Sequence, residues 1–249
     1  MPISFQGCEF GHRRGSFVLT GLDFSLPEGR TVLLGPNGSG KSTLLGLAAS
    51  LLRPRTGRVL YRGLDPARRR DRARYRSLVG WMPQEIRPLP GLTVREQVGY
   101  AGWLKGLSRR EAWRRSLEAL EVVELGTLAD GPCAELSGGQ LRRVGLAQTL
   151  VHDAEVILLD EPTAGLDPDQ RERFREIVSR AGERAHLVVA THDITDLTGT
   201  YDSAVVLDTG GVGYAGPLAG LVTSAGGAVR GSFSDQVGRA YRRLVTREV

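Results

Sequence analysis

The period of the apolar positions changes several times along the chain. Residues 18–26, VLTGLDFSL, alternate apolar with other side chains, which predicts a half-buried strand closed by the turn Pro27-Glu28-Gly29. TVLL at 31–34, EVILLD at 155–160 and HLVVAT at 186–191 are short continuous apolar runs rich in β-branched residues. Such runs predict strands buried on both faces. GRVLYRG at 57–63 reads as another strand, and SAVVLD at 203–208 with GVGYAG at 211–216 as a closing hairpin. Helical periodicity covers about 42–52, a block from Thr93 to about Leu128, a run from the 137 region to about 152, and 170–181. Pro83, Pro88 and Pro90 break up the stretch before the block. Strands alternating with helices predict an α/β domain with a mainly parallel sheet, and the helical block 93–152 reads as a subdomain inserted into it. After 217 the chain is Gly/Ala-rich, then basic, and carries no motif; there is no internal repeat.

Composition adds limits. With 249 residues the chain suits one substantial domain, or a core with a subdomain. The apolar and charged fractions, 41% and 24%, are those expected of a globular protein. No apolar run approaches the roughly 18 to 20 residues that span a bilayer. The N-terminal MPISFQGCEF lacks a basic segment followed by an apolar one, so no signal peptide is expected. Cys8 and Cys133 form no CxxC pair, which fits a reduced cytosolic protein. Of 33 basic residues only Lys41 and Lys105 are lysine, so lysine at 41 is informative. Arginines crowd Arg53 to Arg76. An anionic partner is one reading and a solvated charged surface the favoured one; Tyr61 and Tyr75 alone give too few aromatics for a nucleic-acid surface.

Five motifs carry chemistry. Gly35-Pro36-Asn37-Gly38-Ser39-Gly40-Lys41-Ser42-Thr43 matches GxxxxGK[ST] between an expected strand and an expected helix. Its glycines let backbone N–H groups turn inward around phosphate oxygens, and the helix start adds partial positive charge. Lys41 would place an ammonium by the β- and γ-phosphates, and Ser42 a hydroxyl on Mg²⁺. In VILLDEP, Asp160 ends a buried strand, where a carboxylate can hold the magnesium shell. Glu161 follows, placed to polarise an attacking water. His192, at the end of the 186–191 strand, can donate a hydrogen bond to a γ-phosphate; alone, a strand-end histidine is more often structural. Gln84 in GWMPQE carries almost no signal alone. Finally, Ser137 with Gln140 three residues on is a capping box, which explains neither Gly138 nor Gly139. Two glycines bare the N–H groups of the helix's first turn, which makes an anion site.

Taken in order, GPNGSGKST, Gln84, LSGGQ at 136–140, VILLDEP, AGLD at 164–167 and His192 resemble the nucleotide-binding domain of ATP-binding-cassette (ABC) proteins over about residues 3–220. LSGGQ is the most specific mark. The resemblance implies a P-loop NTPase (RecA-like) α/β core with a parallel sheet, an N-terminal antiparallel β subdomain and an α-helical subdomain inserted at about 88–152. It leaves 221–249 as a C-terminal tail. It also implies a head-to-tail dimer in which each ATP lies between the P-loop of one subunit and Ser137, Gly138, Gly139 and Gln140 of the other, with Asp167 communicating across. Lys41, Gln84, Glu161 and His192 would be catalytic, with Ser42, Gln84 and Asp160 around Mg²⁺. Phe10, in FG, takes the place of the aromatic that stacks on adenine, with Phe17 as its rival because the following loop is long. AGLD replaces the commoner SALD and keeps Asp167.

By the same resemblance ATP closes the dimer and hydrolysis releases it. Any transport path belongs to a separate transmembrane permease, which puts the chain on the cytoplasmic face of the membrane beside a second ATP-binding subunit, a homodimer being expected. LPGLTVREQVGYAGWLKGLSRREA with DEPTAGLDP looks like ATPases of bacterial export systems of the drug- and antibiotic-resistance type. An importer subunit is the close alternative. A soluble relative acting on ribosomes or DNA is the alternative of a different class; it is disfavoured by the single motif set and the lack of a long heptad run, and no nucleic-acid partner is expected.

Overall fold

The computed structural model describes residues 2–13, 16–192, 201–224 and 233–245. The chain divides into two compact units, one from 1–72 with 186–249 and one from 73–185.

In the first unit, β1 (Ser4–Phe10), β2 (Leu19–Ser25) and β4 (Thr56–Leu60) form an antiparallel sheet in the order β2-β1-β4. Alternation sets its inner face: Phe5, Leu19, Leu22 and Val59 are all at most 2% exposed. A parallel layer follows. β3 (Arg30–Leu34) lies between β7 (His186–Thr191) and β8 (Ser203–Asp208), in register from Arg30 with Leu187 to Leu34 with Thr191. β9 (Gly211–Pro217) adds antiparallel to β8. The apolar runs of β3, β7 and β8 are buried almost throughout, as expected of strands covered on both faces. Helix α1 (Lys41–Ala48) follows β3 through the glycine-rich loop and is buried on nearly every side.

Residues 233–245, in the stretch set apart from sequence as a tail, form helix α8 (Phe233–Val245) after the short α7 (Leu218–Ser224). Val237, Ala240, Tyr241 and Leu244 recur at helical spacing. They pack, with Leu218 and Leu221, against Val32 and Leu34 of β3 and Ala204 and Val206 of β8. This part of the tail therefore belongs to the first unit's core.

In the second unit, β5 (Val79–Met82) pairs in parallel with β6 (Val156–Asp160), from Val79 with Val156 to Met82 with Leu159. Helices α3 (Val94–Leu104), α4 (Arg109–Val122), α5 (Gly138–Leu150) and α6 (Pro168–Ala181) complete it. Each starts on a side-chain cap, from Thr93, Ser108, Ser137 and Asp167 in turn, which accepts from a backbone N–H three residues on. Helix α2 (Arg69–Leu78) begins in the sequence of the first unit and ends in that of the second. The sequence pattern concealed it: its buried residues are only Tyr75 and Leu78, set among arginines.

Candidate functional site

The phosphate-binding residues expected from sequence lie in the first unit. The loop 35–40 leaves β3 and enters α1 through Gly40, whose φ of 100° is closed to most side chains. A Cβ on Gly40 would also lie 2.7 Å from Leu19 Cδ2, so the position is doubly restricted to glycine. No side chain caps α1, so its first N–H groups are left to whatever the loop encloses. Lys41 is 7% exposed, and its ammonium donates to the carbonyls of Gly35 (2.7 Å) and Pro36 (3.2 Å), which folds it back over the loop. Ser39 Oγ is buried and has no hydrogen-bond partner among the described residues. A buried hydroxyl without a partner, a cation and a bare helix start converge on one short loop, which is the donor set a phosphate group requires. Asn37, Gly38 and Ser42 are exposed, while Thr43 is buried. His192 is exposed just past the end of β7, the strand paired with β3.

The expected adenine-stacking ring does not fit its position. Phe10 ends β1 at 8% exposure, with His12 against it in an edge arrangement at 5.1 Å. A ring buried this far offers no open face to a base. Phe17 is 52% exposed, and the Arg55 guanidinium lies 5.7 Å from its centroid. It directly precedes Val18, whose Cγ1 is 3.4 Å from where a Cβ on Gly40 would sit, so the chain passes the phosphate loop at this point.

The expected carboxylates lie in the second unit. β6 ends in Asp160, 3% exposed, and the chain turns sharply at Glu161, where φ is 46° in a non-glycine residue. Such backbone costs about 1 to 3 kcal/mol and persists only where the surroundings enforce it. Two successive turns follow, from Ala164 N to Glu161 O and from Leu166 N to Thr163 O, both 3.2 Å. They deliver Asp167 to the start of α6, where Asp167 Oδ1 accepts from Gln170 N at 2.9 Å, with Pro168 at the first helical position.

Gln84 is exposed just past Pro83 at the end of β5. Sequence reasoning missed what holds this segment. Arg142, on α5 two residues after LSGGQ, donates to the backbone carbonyl of Gln84 and, at 3.3 Å, to that of Ala164. One guanidinium thus joins three sequence-marked segments: the glutamine loop, the LSGGQ helix and the turn after Glu161. Burial pushes its pKa down from the ordinary arginine value. Its partners are backbone carbonyls, so no side-chain spacing in the sequence announces it.

The LSGGQ capping box is present in full: Ser137 Oγ accepts from Gln140 N (3.3 Å), and Gln140 Oε1 accepts from Ser137 N (2.9 Å). Ser137 and Gly138 are exposed, and a Cβ on Gly138 would meet nothing within 4 Å. Gly139 is different, because a Cβ there would run into the Gln170 side-chain amide. Among the described residues, nothing requires glycine at 138.

The described residues hold no group of three or more His, Cys, Asp or Glu side chains that could bind a metal on their own. In the second unit β6 ends in the buried carboxylate of Asp160, and in the first unit the exposed hydroxyl of Ser42 directly follows the phosphate loop. Each is the kind of hard oxygen ligand that a hard cation takes alongside water and phosphate.

Comparison with known proteins agrees with this inventory. The family model for ABC transporter matches residues 19–164. An ABC transporter ATP-binding protein of Streptomyces coelicolor is 38% identical, over 87% of this chain and 78% of that protein. The linearmycin resistance ATP-binding protein of Bacillus subtilis is 32% identical, over 84% and 68%. The cobalt import ATP-binding protein of Rhodobacter capsulatus is 38% identical, over 93% and 84%. The solved dimer of an ATP-binding cassette in a post-hydrolysis state, bound to ADP and Pi, superposes with a TM-score of 0.76 at 26% identity, over 86% of this chain and 98% of that one.

Proposed function

This chain belongs to the ABC transporter family as its ATP-binding, ATP-hydrolysing subunit, and we propose that it powers export through a separate permease from the cytoplasmic face of the membrane. Subunits of this family dimerise and work with transmembrane partners. No described helix is long and apolar enough to cross a membrane, which agrees with a path formed by another polypeptide. Export is supported by the likeness to a resistance ATP-binding protein and to a Nod factor export ATP-binding protein of Burkholderia lata. Relatives named for import are about as similar.

In this reading two copies pair head to tail, each ATP lying between the 35–43 loop of one and the Ser137–Gly138–Gly139 helix start of the other. The observation that carries it is the LSGGQ turn, exposed, already capped, and open at Gly138 for no reason found among the described residues. Lys41 exchanges the Gly35 and Pro36 carbonyls for β- and γ-phosphate oxygens. Asp160 and Ser42 would hold Mg²⁺, with Gln84 beside it; the ion would neutralise charge on the β- and γ-oxygens. Glu161 accepts a proton from the water that attacks the γ-phosphorus as the bond to ADP breaks. His192 donates a hydrogen bond to the γ-phosphate, and Asp167 senses the partner at the interface.

The test is Glu161→Gln. Single-turnover hydrolysis should fall by about 100-fold or more, and light scattering should show a stable dimer with ATP and Mg²⁺. Near wild-type hydrolysis removes Glu161 as the base, and monomer at saturating ATP removes the sandwich. Purification from native membranes with its permease settles direction: copurification with a solute-binding protein would overturn export.

A further inference from the structure

The residues from Arg53 to Arg76 contain ten arginines and two aspartates, a net charge of +8. The whole chain carries +5, so everything outside this segment is net −3. The positive character of the protein is therefore a local property. Helix α2 sharpens it. Its exposed positions include Arg69, Arg70, Arg74 and Arg76, whereas Asp71, Tyr75 and Leu78 turn inward. The two carboxylates of the segment are spent on its inner side: Asp65 pairs with Arg68 (3.5 Å) and Asp71 with Arg70 (3.4 Å), and their side chains are only 11% and 15% exposed. Arg72 turns back to the carbonyls of Pro66 (3.0 Å) and Ala67 (3.2 Å). Arg69 and Arg74 form no ion pair among the described residues.

We propose that the exposed face of α2, with Arg62 and Arg68 leading into it, docks on the phosphate headgroups of an anionic lipid bilayer. The inference rests on the membrane placement above only for which polyanion lies close at hand. Guanidinium groups grip phosphate oxygens with two parallel hydrogen bonds. A ten-residue helix presents them along about 15 Å, a span that covers several headgroups. Nucleic acid is the competing polyanion, and the face is poorly made for it. Tyr61 and Tyr75, the segment's aromatics, are 1% and 0% exposed, so bases find nothing to stack on.

The experiment is cosedimentation of the full chain, without permease, with vesicles of phosphatidylcholine alone or of equimolar phosphatidylcholine and phosphatidylglycerol. Binding should require phosphatidylglycerol and should weaken steeply as salt rises past about 0.1 M. The Arg69→Gln, Arg70→Gln, Arg74→Gln variant should lose about 100-fold in partitioning, roughly 5-fold for each arginine, with melting temperature and ATP hydrolysis unchanged. Equal binding to both vesicles, or equal binding by the variant, overturns the proposal. Displacement from the vesicles by duplex DNA at the same phosphate concentration also overturns it and assigns the face to nucleic acid. Since no permease is present, failure here leaves the transport reading standing, and failure of that reading leaves lipid binding measurable.

Discussion

Arg142 donates a hydrogen bond to the backbone carbonyl of Gln84. Gln84 is fifty-eight residues earlier in sequence, two residues past the end of β5. The same guanidinium reaches Ala164, so the glutamine loop and the turn after Glu161 share one anchor on the LSGGQ helix. Arg142→Ala should cost about 1.5 to 3 kcal/mol for each charge-assisted hydrogen bond lost, read as a lower denaturation midpoint. It should also lower kcat for ATP hydrolysis more than it raises KM, because it frees the loops that hold Gln84 and Glu161. Arg142→Lys has one point charge in place of a fork and should recover only part. A change in KM alone would mean that the anchor serves nucleotide binding, not the geometry of catalysis.

What the sequence shows of this molecule depends on how local each cause is. The LSGGQ capping box was legible because side chain and backbone partner lie three residues apart. The buried strands β3, β6 and β7 were legible because continuous β-branched runs have few other uses. Helix α2 was hidden because its inward face is two residues wide, and β5 because it is four residues long and ends against Pro83. Phe10 was assigned by its place next to Gly11. Its burial, which argues against stacking, follows from pairing with Leu19 across a loop whose length alone gave no conformation. The role of Arg142 is carried by backbone carbonyls, which every residue has.

The two phenylalanines make separable predictions. Phe17→Ala removes an exposed ring beside the phosphate loop and should weaken ATP binding roughly 5- to 100-fold, the worth of one base–aromatic stack, with little change in melting temperature. Phe10→Ala should destabilise the fold by about 3 to 5 kcal/mol as a core truncation. Titration with ATP and a denaturation curve on each variant distinguish them. A selective loss of ATP affinity in Phe10→Ala would return the stacking role to Phe10.

His152 predicts an acid limit. It is 7% exposed, and burial, with the Lys105 ammonium nearby, pushes its pKa down to about 3. Lys105 donates to the carbonyls of Val79 (2.7 Å) and Arg76 (3.1 Å), and burial lowers its own pKa to about 8. The folded chain thus keeps His152 neutral where the unfolded chain protonates it. Its contribution is fully present above pH 6.5 and is lost as pH falls toward 3, at up to about 1.4 kcal/mol per pH unit. Urea unfolding at pH 7, 6, 5 and 4 should show a declining free energy, and His152→Gln should flatten the decline. An unchanged slope in that variant would place the acid sensitivity elsewhere.

Gly138 and Gly139 adjoin in sequence yet should respond differently to alanine. At Gly139 a methyl group meets the Gln170 amide within the same chain, so Gly139→Ala mixes a local clash with any effect on function. At Gly138 a methyl group meets nothing, and the position is the first residue of α5, where alanine is the better helix former by up to about 1 kcal/mol. A single folded chain should therefore be as stable or more stable with Gly138→Ala. If the γ-phosphate held by another subunit comes against this turn, the same methyl group blocks it. ATP-driven dimerisation should then fail and hydrolysis drop by at least about 10-fold, while ATP binding to the monomer stays intact. Melting temperature, light scattering with ATP and steady-state hydrolysis, measured on one preparation, give the answer. Wild-type hydrolysis in Gly138→Ala would show that nothing approaches the turn, and the glycine would lose its functional reason.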